Sequence, residues 1–259
     1  MLNLSISVHQ IQLFIVIFIR ISAILFAAPL FGGKNVPIIA KVGIALALSL
    51  CLFPVVSQKI NPVVNGVAII GVGMIGEVIL GFIIGFSVRL IFTGIQLAGQ
   101  LAGYQMGMSL ANVLDPVSSN QISMMSQLNY IIAFLIFLSI NAHHFFIRAL
   151  VESFYLVPPL EFVFNNPLME KMVTFSNDMF VIAIKIGAPI IATLLLTSAT
   201  LGLIARTVPQ VHIFIVAMPI QILIGLSVTA MIIPYFVSYL IIIFEKLGKD
   251  LFILLKTIH

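Results

Sequence analysis

Hydrophobic residues fall into six long runs along this chain, separated by short polar breaks. A helix needs about 20 consecutive apolar residues to cross the hydrocarbon core of a bilayer, and each run reaches or approaches that length. The pattern therefore predicts about six apolar helical segments in an all-α integral membrane protein. The runs are residues 11–31, 38–56, 63–92, 130–150, 181–204 and 213–244.

Prolines interrupt several of these runs. Each proline removes a backbone donor and bends a helix, and the freed carbonyls are tolerated at membrane depth only where protein or a water-filled cavity covers them. We therefore expect kinked helices and hairpins packed against other protein, and the last two runs are long enough to be either helix pairs or bent helices. The prolines concerned are Pro29, Pro54, Pro189, Pro219 and Pro234.

A short amphipathic segment, residues 245–259, follows the last run and carries Lys246, Lys249 and Lys256. Its pattern predicts a surface helix that faces the cytoplasm. We take residues 1–259 as a single membrane domain with this segment as its tail.

Composition supports the membrane assignment. The chain has 259 residues, of which 61% are hydrophobic and 8% charged, and its mean hydropathy is +1.25, whereas soluble domains are about 25% charged. The net charge of +4 is not clustered as a nucleic-acid site requires. Soluble enzymes, disulfide-stapled domains and nucleic-acid binders are thus excluded, and the single cysteine, Cys51, is predicted to be a buried, inert thiol.

Glycines are concentrated between residues 66 and 107, which hold ten of the chain's 17. Gly81 and Gly85 lie four residues apart, and Gly99, Gly103 and Gly107 repeat that spacing. Residues four apart share a helix face, and glycine lets another backbone approach closely. The pattern predicts a packing face, either for another helix of this chain or for a partner subunit.

A polar ridge accompanies these glycines, because Gln96, Gln100 and Tyr104 are also four residues apart. Such a ridge suits either a wet channel wall or a hydrogen-bonded seam between helices.

Four methionines bracket a polar, proline-containing segment after the ridge. Methionine often fills gaps in an apolar core, but methionines around a polar loop also suit a deformable constriction that seals and then yields, and both interpretations stay open. The candidate constriction residues are Met106, Gly107, Met108, Leu114, Asp115, Pro116, Ser118, Ser119, Asn120, Met124 and Met125.

Charged residues within or beside apolar runs are functional candidates by default. Glu77 and Arg89 are about 18 Å apart along an ideal helix, too far to neutralise each other, so each needs a partner elsewhere. The candidate intramembrane charges are Arg20, Glu77, Arg89, Lys185 and Arg206.

Catalytic and cofactor motifs are incomplete in this sequence. The GxGxxG match at residues 71–76 lies inside an apolar run without a βαβ pattern. His143 and His144 are adjacent, so they point about 100° apart on a helix and do not share a metal in HExxH geometry. We expect no enzyme activity, no cofactor and no metal.

Short motifs spread over nearly the whole chain resemble the FliR family, the R subunit of the bacterial flagellar type III export gate. Their order and spacing carry the resemblance more than any single motif. The motifs are Arg20-Ile21-Ser22, Ala28-Pro29-Leu30-Phe31-Gly32, Asn35-Val36-Pro37, Lys41-Val42-Gly43-Ile44-Ala45-Leu46, Gln105-Met106-Gly107, Leu114-Asp115-Pro116, Asn141-Ala142-His143-His144 with Arg148-Ala149, Lys185-Ile186-Gly187-Ala188-Pro189, and Ala205-Arg206-Thr207-Val208-Pro209-Gln210.

The resemblance implies a multi-pass protein of the bacterial inner membrane, in the flagellar basal body. It would assemble helically with P and Q subunits around an export pore, next to FlhA and FlhB, and unfolded flagellar proteins would pass through. Residues 1–180 would be P-subunit-like and residues 181–230 a Q-subunit-like hairpin. The family's plug loop follows its Leu-Asp-Pro motif, which places the plug at residues 106–120, and we extend it to Met124 and Met125.

Two alternative functions remain from the sequence. One is a subunit of a virulence-type type III secretion gate. The other is a small transporter built on broken helices, with Glu77 and Arg89 as coupling residues.

Overall fold

All extended regular elements in the described part of the chain are α-helices. The computed structural model describes residues 8–29, 36–57, 67–108, 123–207 and 213–258. The helices are α1 (Val8–Ala27), α2 (Ile38–Ser57), α3 (Val67–Gln105), α4 (Met124–Ser139), α5 (Ala142–Leu156), α6 (Asn166–Thr207) and α7 (Ile213–Ile258). The prediction of an all-α fold is confirmed.

Within these residues, five helices are long and apolar enough to cross a membrane: α1, α2, α3, α6 and α7. Helices α4 and α5 meet the same criterion only when they are taken together as one broken span, which gives up to six. The six apolar runs of the sequence thus correspond to five single helices and one pair.

The break between α4 and α5 occurs at Asn141, within a run that the hydrophobic pattern shows as continuous. Asn141 is in the left-handed region with a φ of 55°, a conformation that asparagine tolerates better than most residues. Its carbonyl accepts a bond from the backbone N–H of His144 at 2.9 Å. A single asparagine therefore ends one helix and begins the next.

Helices α6 and α7 settle the choice left open for the last two runs, because each is one uninterrupted helix. Helix α6 continues through Pro189, and α7 continues through Pro219 and Pro234. Helix α7 also extends past the end of the apolar run at residue 244, so that residues 245–258 are its last turns.

The chain divides into two compact units. Unit 1 comprises the described parts of residues 1–90, 141–175 and 245–259. Helix α1 buries residues at helical spacing in this unit, among them Ile17, Ile21 and Ile24, each with 0% exposure. Phe14 of α1 meets Phe53 of α2 edge to face, with ring centroids 6.0 Å apart.

Unit 2 comprises the described parts of residues 91–140 and 176–244. Three phenylalanines from three helices form an aromatic cluster in it. The ring centroid of Phe92 lies 5.7 Å from that of Phe137 and 5.6 Å from that of Phe244, and the last two are 5.1 Å apart. Rings at these separations add to the free energy of burial.

Many large apolar side chains face outward, as lipid or protein partners require. Ile39 is 86% exposed, and Met231 is 84% exposed. Cys51 is exposed as well, so the prediction of a buried thiol was wrong. The physical reason is that α2 buries few of its residues in this chain, and an apolar helix in a membrane does not need to be covered by its own chain.

Candidate functional site

The C-terminal half of α3 packs against the first turns of α4 with almost no space between the two backbones. A Cβ atom built on Gly99 would lie 2.7 Å from the carbonyl oxygen of Met125 and 2.7 Å from Cα of Ser126. One turn later, a Cβ atom on Gly103 would meet the hydroxyl of Ser123, the residue before α4, and would lie 3.5 Å from Cβ of Met125. The hydroxyl of Ser126 donates a hydrogen bond to the carbonyl oxygen of Gln96 at 2.9 Å. The glycines and the backbone of Gln96 therefore form part of a seam between two helices of this chain. In the polar ridge itself, Gln100 Nε2 donates to the Tyr104 hydroxyl at 3.1 Å within α3, and Tyr104 is 51% exposed.

The two earlier glycines of α3 play the same part in unit 1. A Cβ atom on Gly81 would lie 2.7 Å from the carbonyl oxygen of Arg20, and one on Gly85 would lie 2.6 Å from that of Ile24. Both carbonyls belong to α1. The four helical glycines thus contact helices of the same chain.

An apolar cluster containing two of the candidate methionines lies beside the seam in unit 2. Met106 is fully buried and Met125 is 2% exposed. They come from the turn after α3 and from the first turn of α4, so they stand at the two ends of residues 107–124. Their buried neighbours in the cluster are Ala102, Ile190 and Leu194, and the partly buried residues packed against it are Met108, Ile222, Ile224, Val228 and Ile232. We call these ten residues the methionine cluster.

Two glycines, Gly107 and Gly225, allow the backbone to pack closely around the Met106 side chain of this cluster. Gly107 follows Met106 with a φ of 80°, which glycine adopts without the cost that a Cβ would bring. Gly225 of α7 lies against the Met106 side chain, and a Cβ there would be 2.8 Å from Met106 Cγ. The fit requires glycine on the facing helix, which the sequence pattern did not single out.

The structure brings together only part of the candidate constriction. Met106, Met108 and Met125 belong to the methionine cluster, whereas Met124 points away and is 82% exposed. The other candidates lie outside the described residues, namely Leu114, Asp115, Pro116, Ser118, Ser119 and Asn120.

A groove runs along the same seam, with a volume of about 530 Å³. Its side chains are uncharged, and most of them carry a hydroxyl or an amide. They are Thr93, Gln96, Leu97, Gln100, Ser123, Ser126 and Met179. We call this feature the α3–α4 groove.

Unit 1 contains a buried ion pair between two of the candidate intramembrane charges. Arg20 of α1 binds Glu77 of α3 through two hydrogen bonds: Nη2 donates to Oε1 at 2.9 Å, and Nε donates to Oε2. Both side chains are 0% exposed. The partner that the sequence required for Glu77 is therefore Arg20, 57 residues earlier.

The pair also fixes the end of α5 and the turn after it. Arg20 Nη1 donates to the carbonyl oxygens of Ser153 at 2.8 Å and Val157 at 3.0 Å. The Ser153 carbonyl also accepts the backbone N–H of Val157 at 3.0 Å, at the C-terminal cap of α5. Glu77 Oε1 accepts the backbone N–H of Leu160 at 2.8 Å, a residue held at a φ of 69°. These contacts join α1, α3 and the chain after α5.

The guanidinium has a fourth neighbour in this network. Its Cζ lies 4.4 Å from the ring centroid of Phe154, within the range of a cation–π interaction. No local pattern pointed to the backbone and aromatic partners of Arg20, which lie more than 130 residues away along the chain.

The other candidate charges lie elsewhere. Arg89 and Arg206 are on exposed positions of α3 and α6. Lys185 is exposed on α6, with Nζ 5.6 Å from the ring centroid of Tyr239. The structure does not bring Glu77 and Arg89 together as a coupled pair.

In the described ranges, no group of three or more histidine, cysteine, aspartate or glutamate side chains is arranged to hold a metal ion. The rings of His143 and His144 lie side by side at an interplanar angle of 38°, with centroids 4.3 Å apart.

These helices define a multi-pass, all-α integral membrane protein. The chain belongs to the family described as bacterial export proteins, family 1, whose model matches residues 11–247.

Curated relatives support the same assignment. The flagellar biosynthetic protein FliR of Bacillus subtilis is 34% identical over 81% of this chain and 81% of its own length. The protein of the same name from Aquifex aeolicus is 31% identical over 84% of this chain and 83% of its own. The Escherichia coli protein of that name is 27% identical over 93% and 90%, respectively.

Proposed function

We propose that this protein is the R-type structural and gating subunit of the flagellar type III protein export gate in the bacterial inner membrane. It lines and plugs the pore through which unfolded flagellar proteins leave the cell. Family membership and the FliR relatives support its place in a flagellar export apparatus. The proposed partners are the P and Q subunits, FlhB, FlhA, the export substrates and membrane lipid.

One observation carries the gating part of the proposal. Met106 and Met125 are buried in a single apolar cluster although 18 residues separate them along the chain. The two ends of residues 107–124 therefore lie next to each other at the methionine cluster. This arrangement is expected for a plug segment that is attached at the constriction it closes. Methionine side chains are flexible and polarizable, so a cluster of them closes tightly and deforms at low cost.

The mechanism proposed is passive. The segment and the methionine cluster block ions at rest, and an exported chain displaces them. Energy comes from the proton-motive force and from an ATPase outside this chain.

Within this subunit, we assign the plug to residues 106–120 with Met124 and Met125, and a Q-like hairpin to residues 181–230. The bond from Gln221 Nε2 to Ser198 Oγ at 3.0 Å supports the hairpin, because it joins α6 and α7 within that range. Gly81, Gly85, Gly99 and Gly103 act in packing within the chain.

The test of the plug is a shortened segment. Deleting part of residues 109–120, in cells that express the other gate subunits, is expected to raise ion leak across the inner membrane while export persists. A matched deletion of the same length in residues 58–65, which the methionine cluster does not flank, is the control. A tight membrane with normal export in the first variant would refute the plug.

The assembly is tested separately by native mass spectrometry of the tagged chain from mild detergent. One copy of this chain with several copies of two other hydrophobic subunits is expected. A chain that appears alone or as a homo-oligomer would contradict the gate assignment.

A further inference from the structure

One face of α7 lies against the turn that follows α3. A Cβ atom built on Gly107 would lie 3.5 Å from Met218 Cγ and 3.8 Å from Gln221 Oε1. One built on Gly225 would lie 2.8 Å from Met106 Cγ. Residues 218, 221 and 225 are spaced three and four apart, so they share one face of the helix. The turn therefore packs on this face, whose polar member is Gln221.

The amide of Gln221 also joins α7 to α6. Its Nε2 donates to Ser198 Oγ at 3.0 Å, and the Ser198 hydroxyl donates to the carbonyl oxygen of Leu194 at 2.8 Å. Leu194 is fully buried in the methionine cluster. A hydroxyl carries a single donor, and Ser198 uses it on Leu194, so that it can only accept from Gln221. The amide nitrogen must therefore face α6, which leaves the amide oxygen on the side of Gly107.

Gln221 links three elements that build the methionine cluster, namely its own helix α7, helix α6 and the turn after α3. Gly225 lies four residues, or about 6 Å, further along α7, so the amide of Gln221 and the contact of Gly225 with Met106 belong to one stretch of helix. If α7 moves away from its neighbours, the bond to Ser198 breaks and Gly225 withdraws from Met106 together. The bond therefore opposes the movement that would open the cluster.

The strength of this bond suits a contact that is broken and remade. A hydrogen bond of average strength between helices in a membrane changes the ratio of two states about threefold. Arg20 and Glu77 in unit 1 form a fully buried ion pair, whose separation is far more costly. The amide of Gln221 thus holds α7 in place without preventing its displacement.

We propose that Gln221 is a positioning residue for the barrier to ions. By binding Ser198 and lying against Gly107, it keeps α7 on the methionine cluster until an exported chain moves the helix. Neither Gln221 nor Ser198 belongs to the cluster itself. This inference rests on the proposed gating function, because it names the residue that holds the proposed barrier closed.

A double-mutant cycle tests this role in the assembled gate. Gln221→Met keeps the length of the side chain but removes the amide, and Ser198→Ala removes the hydroxyl. Proton leak is measured in inverted vesicles from cells that express the other gate subunits, and the amount of each variant in the membrane is measured in parallel. Each single variant is expected to raise the leak about threefold, and the double variant by no more than that, because both changes remove the same bond.

Two further variants separate the hydrogen bond from general effects on packing. Ser198→Thr keeps a hydroxyl on α6, so its leak should stay at the wild-type level. Ser227→Ala is the matched control on α7, because the Ser227 hydroxyl is exposed and donates within the helix to the carbonyl oxygen of Leu223 at 2.8 Å. If Gln221→Met does not accumulate, the comparison of Ser198→Ala with Ser198→Thr decides the role of the bond.

Met125→Ala distinguishes failure of this inference from failure of the proposed function. A leak in Met125→Ala, with wild-type tightness in Gln221→Met and Ser198→Ala, would overturn the role of Gln221 and leave the methionine cluster as the barrier. Wild-type tightness in all three variants would overturn the barrier itself, and the inference with it. Leaks of the two single variants that add up in the double variant would also overturn the inference, since the two residues would then act independently.

Discussion

Arg20 and Glu77 form a two-bond ion pair that neither lipid nor water reaches. Both side chains are 0% exposed, and each also binds backbone groups of the chain after residue 152. Desolvating two ions costs several kcal/mol each, and the pair is sustained only because further hydrogen bonds satisfy the remaining donors and acceptors.

Removing the carboxylate is therefore expected to destabilise unit 1. In Glu77→Gln, the buried guanidinium loses its counter-ion, and breaking a buried pair in this way typically costs about 3–5 kcal/mol. Thermal denaturation of the purified complex in detergent, together with its steady-state amount in membranes, measures the loss.

Glu170→Gln is the matched control, because Glu170 is exposed on α6 and this change should leave stability nearly unaltered. The double variant Arg20→Gln with Glu77→Gln should recover part of the loss, since no charge is then left buried. Equal melting temperatures for Glu77→Gln and the control would contradict a stabilising role for the pair.

Two glycines of α3 are expected to respond in opposite directions to the same change. In Gly85→Ala, the added methyl would lie 2.6 Å from the carbonyl oxygen of Ile24, so α1 must move away, at a cost of about 1–3 kcal/mol. In Gly71→Ala, nothing lies within 4 Å of the new atom, and the higher helix propensity of alanine should be neutral or stabilising by up to about 1 kcal/mol. Melting temperatures of the two variants are the measurement, and a Gly85→Ala variant as stable as wild type would show that α3 does not pack on α1 as described.

Two neighbouring methionines at the start of α4, Met124 and Met125, test whether the methionine cluster is the barrier to ions. Met125→Ala opens a cavity in the methionine cluster, which costs about 2–5 kcal/mol and is expected to raise ion leak. Met124→Ala removes a side chain that is 82% exposed, so both stability and leak should stay close to wild type. Proton leak in inverted vesicles is the measurement, and a larger leak from Met124→Ala would place the seal elsewhere.

The effect of substituting Gly107, in the turn after α3, depends on its backbone conformation more than on the space around it. Gly107 has a φ of 80°, and the nearest atom to a Cβ built there is Met218 Cγ at 3.5 Å. Gly107→Ala should thus be destabilised by about 1–2 kcal/mol through the left-handed backbone alone, and Gly107→Asn by less. Denaturation curves rank the two variants, and equal stability of wild type and Gly107→Ala would mean that the turn adopts another conformation.

Much of the fold follows from the hydrophobic pattern, because the length and apolarity of a run of residues identify a membrane-spanning helix. The six runs correspond to five helices and one pair, and the glycine spacing of Gly81, Gly85, Gly99 and Gly103 marks the faces of α3 that other helices approach. The break at Asn141 escaped prediction since neither proline nor glycine marks it. Residues 245–259 were predicted as a separate amphipathic surface helix, whereas α7 continues through residues 245–258. The continuity was missed because these residues lose the apolar run but keep one buried face.

The chemistry of the site was less predictable. Candidate charges were recognised by their cost in a membrane, but the pairing of Arg20 with Glu77 depends on tertiary contacts, which no local pattern encodes. The same holds for Gly225, whose role is visible only in its contact with Met106. The apolar surroundings of Cys51 in the sequence did not predict its burial correctly, because a side chain of a membrane helix faces lipid or a partner protein as readily as the core of its own chain.

The contacts of Arg20 also set an order of events during synthesis. Arg20 leaves the ribosome 57 residues before Glu77 and 133 residues before Ser153, which at about 5–20 residues per second is a delay of roughly 3–11 s for the carboxylate alone. An uncompensated arginine at the centre of a helix opposes membrane insertion by about 2.5–3.5 kcal/mol. Until α3 supplies the Glu77 carboxylate, this cost is subtracted from the favourable insertion free energy of the apolar helix α1, and we expect α1 to become more stable in the bilayer when α3 joins it.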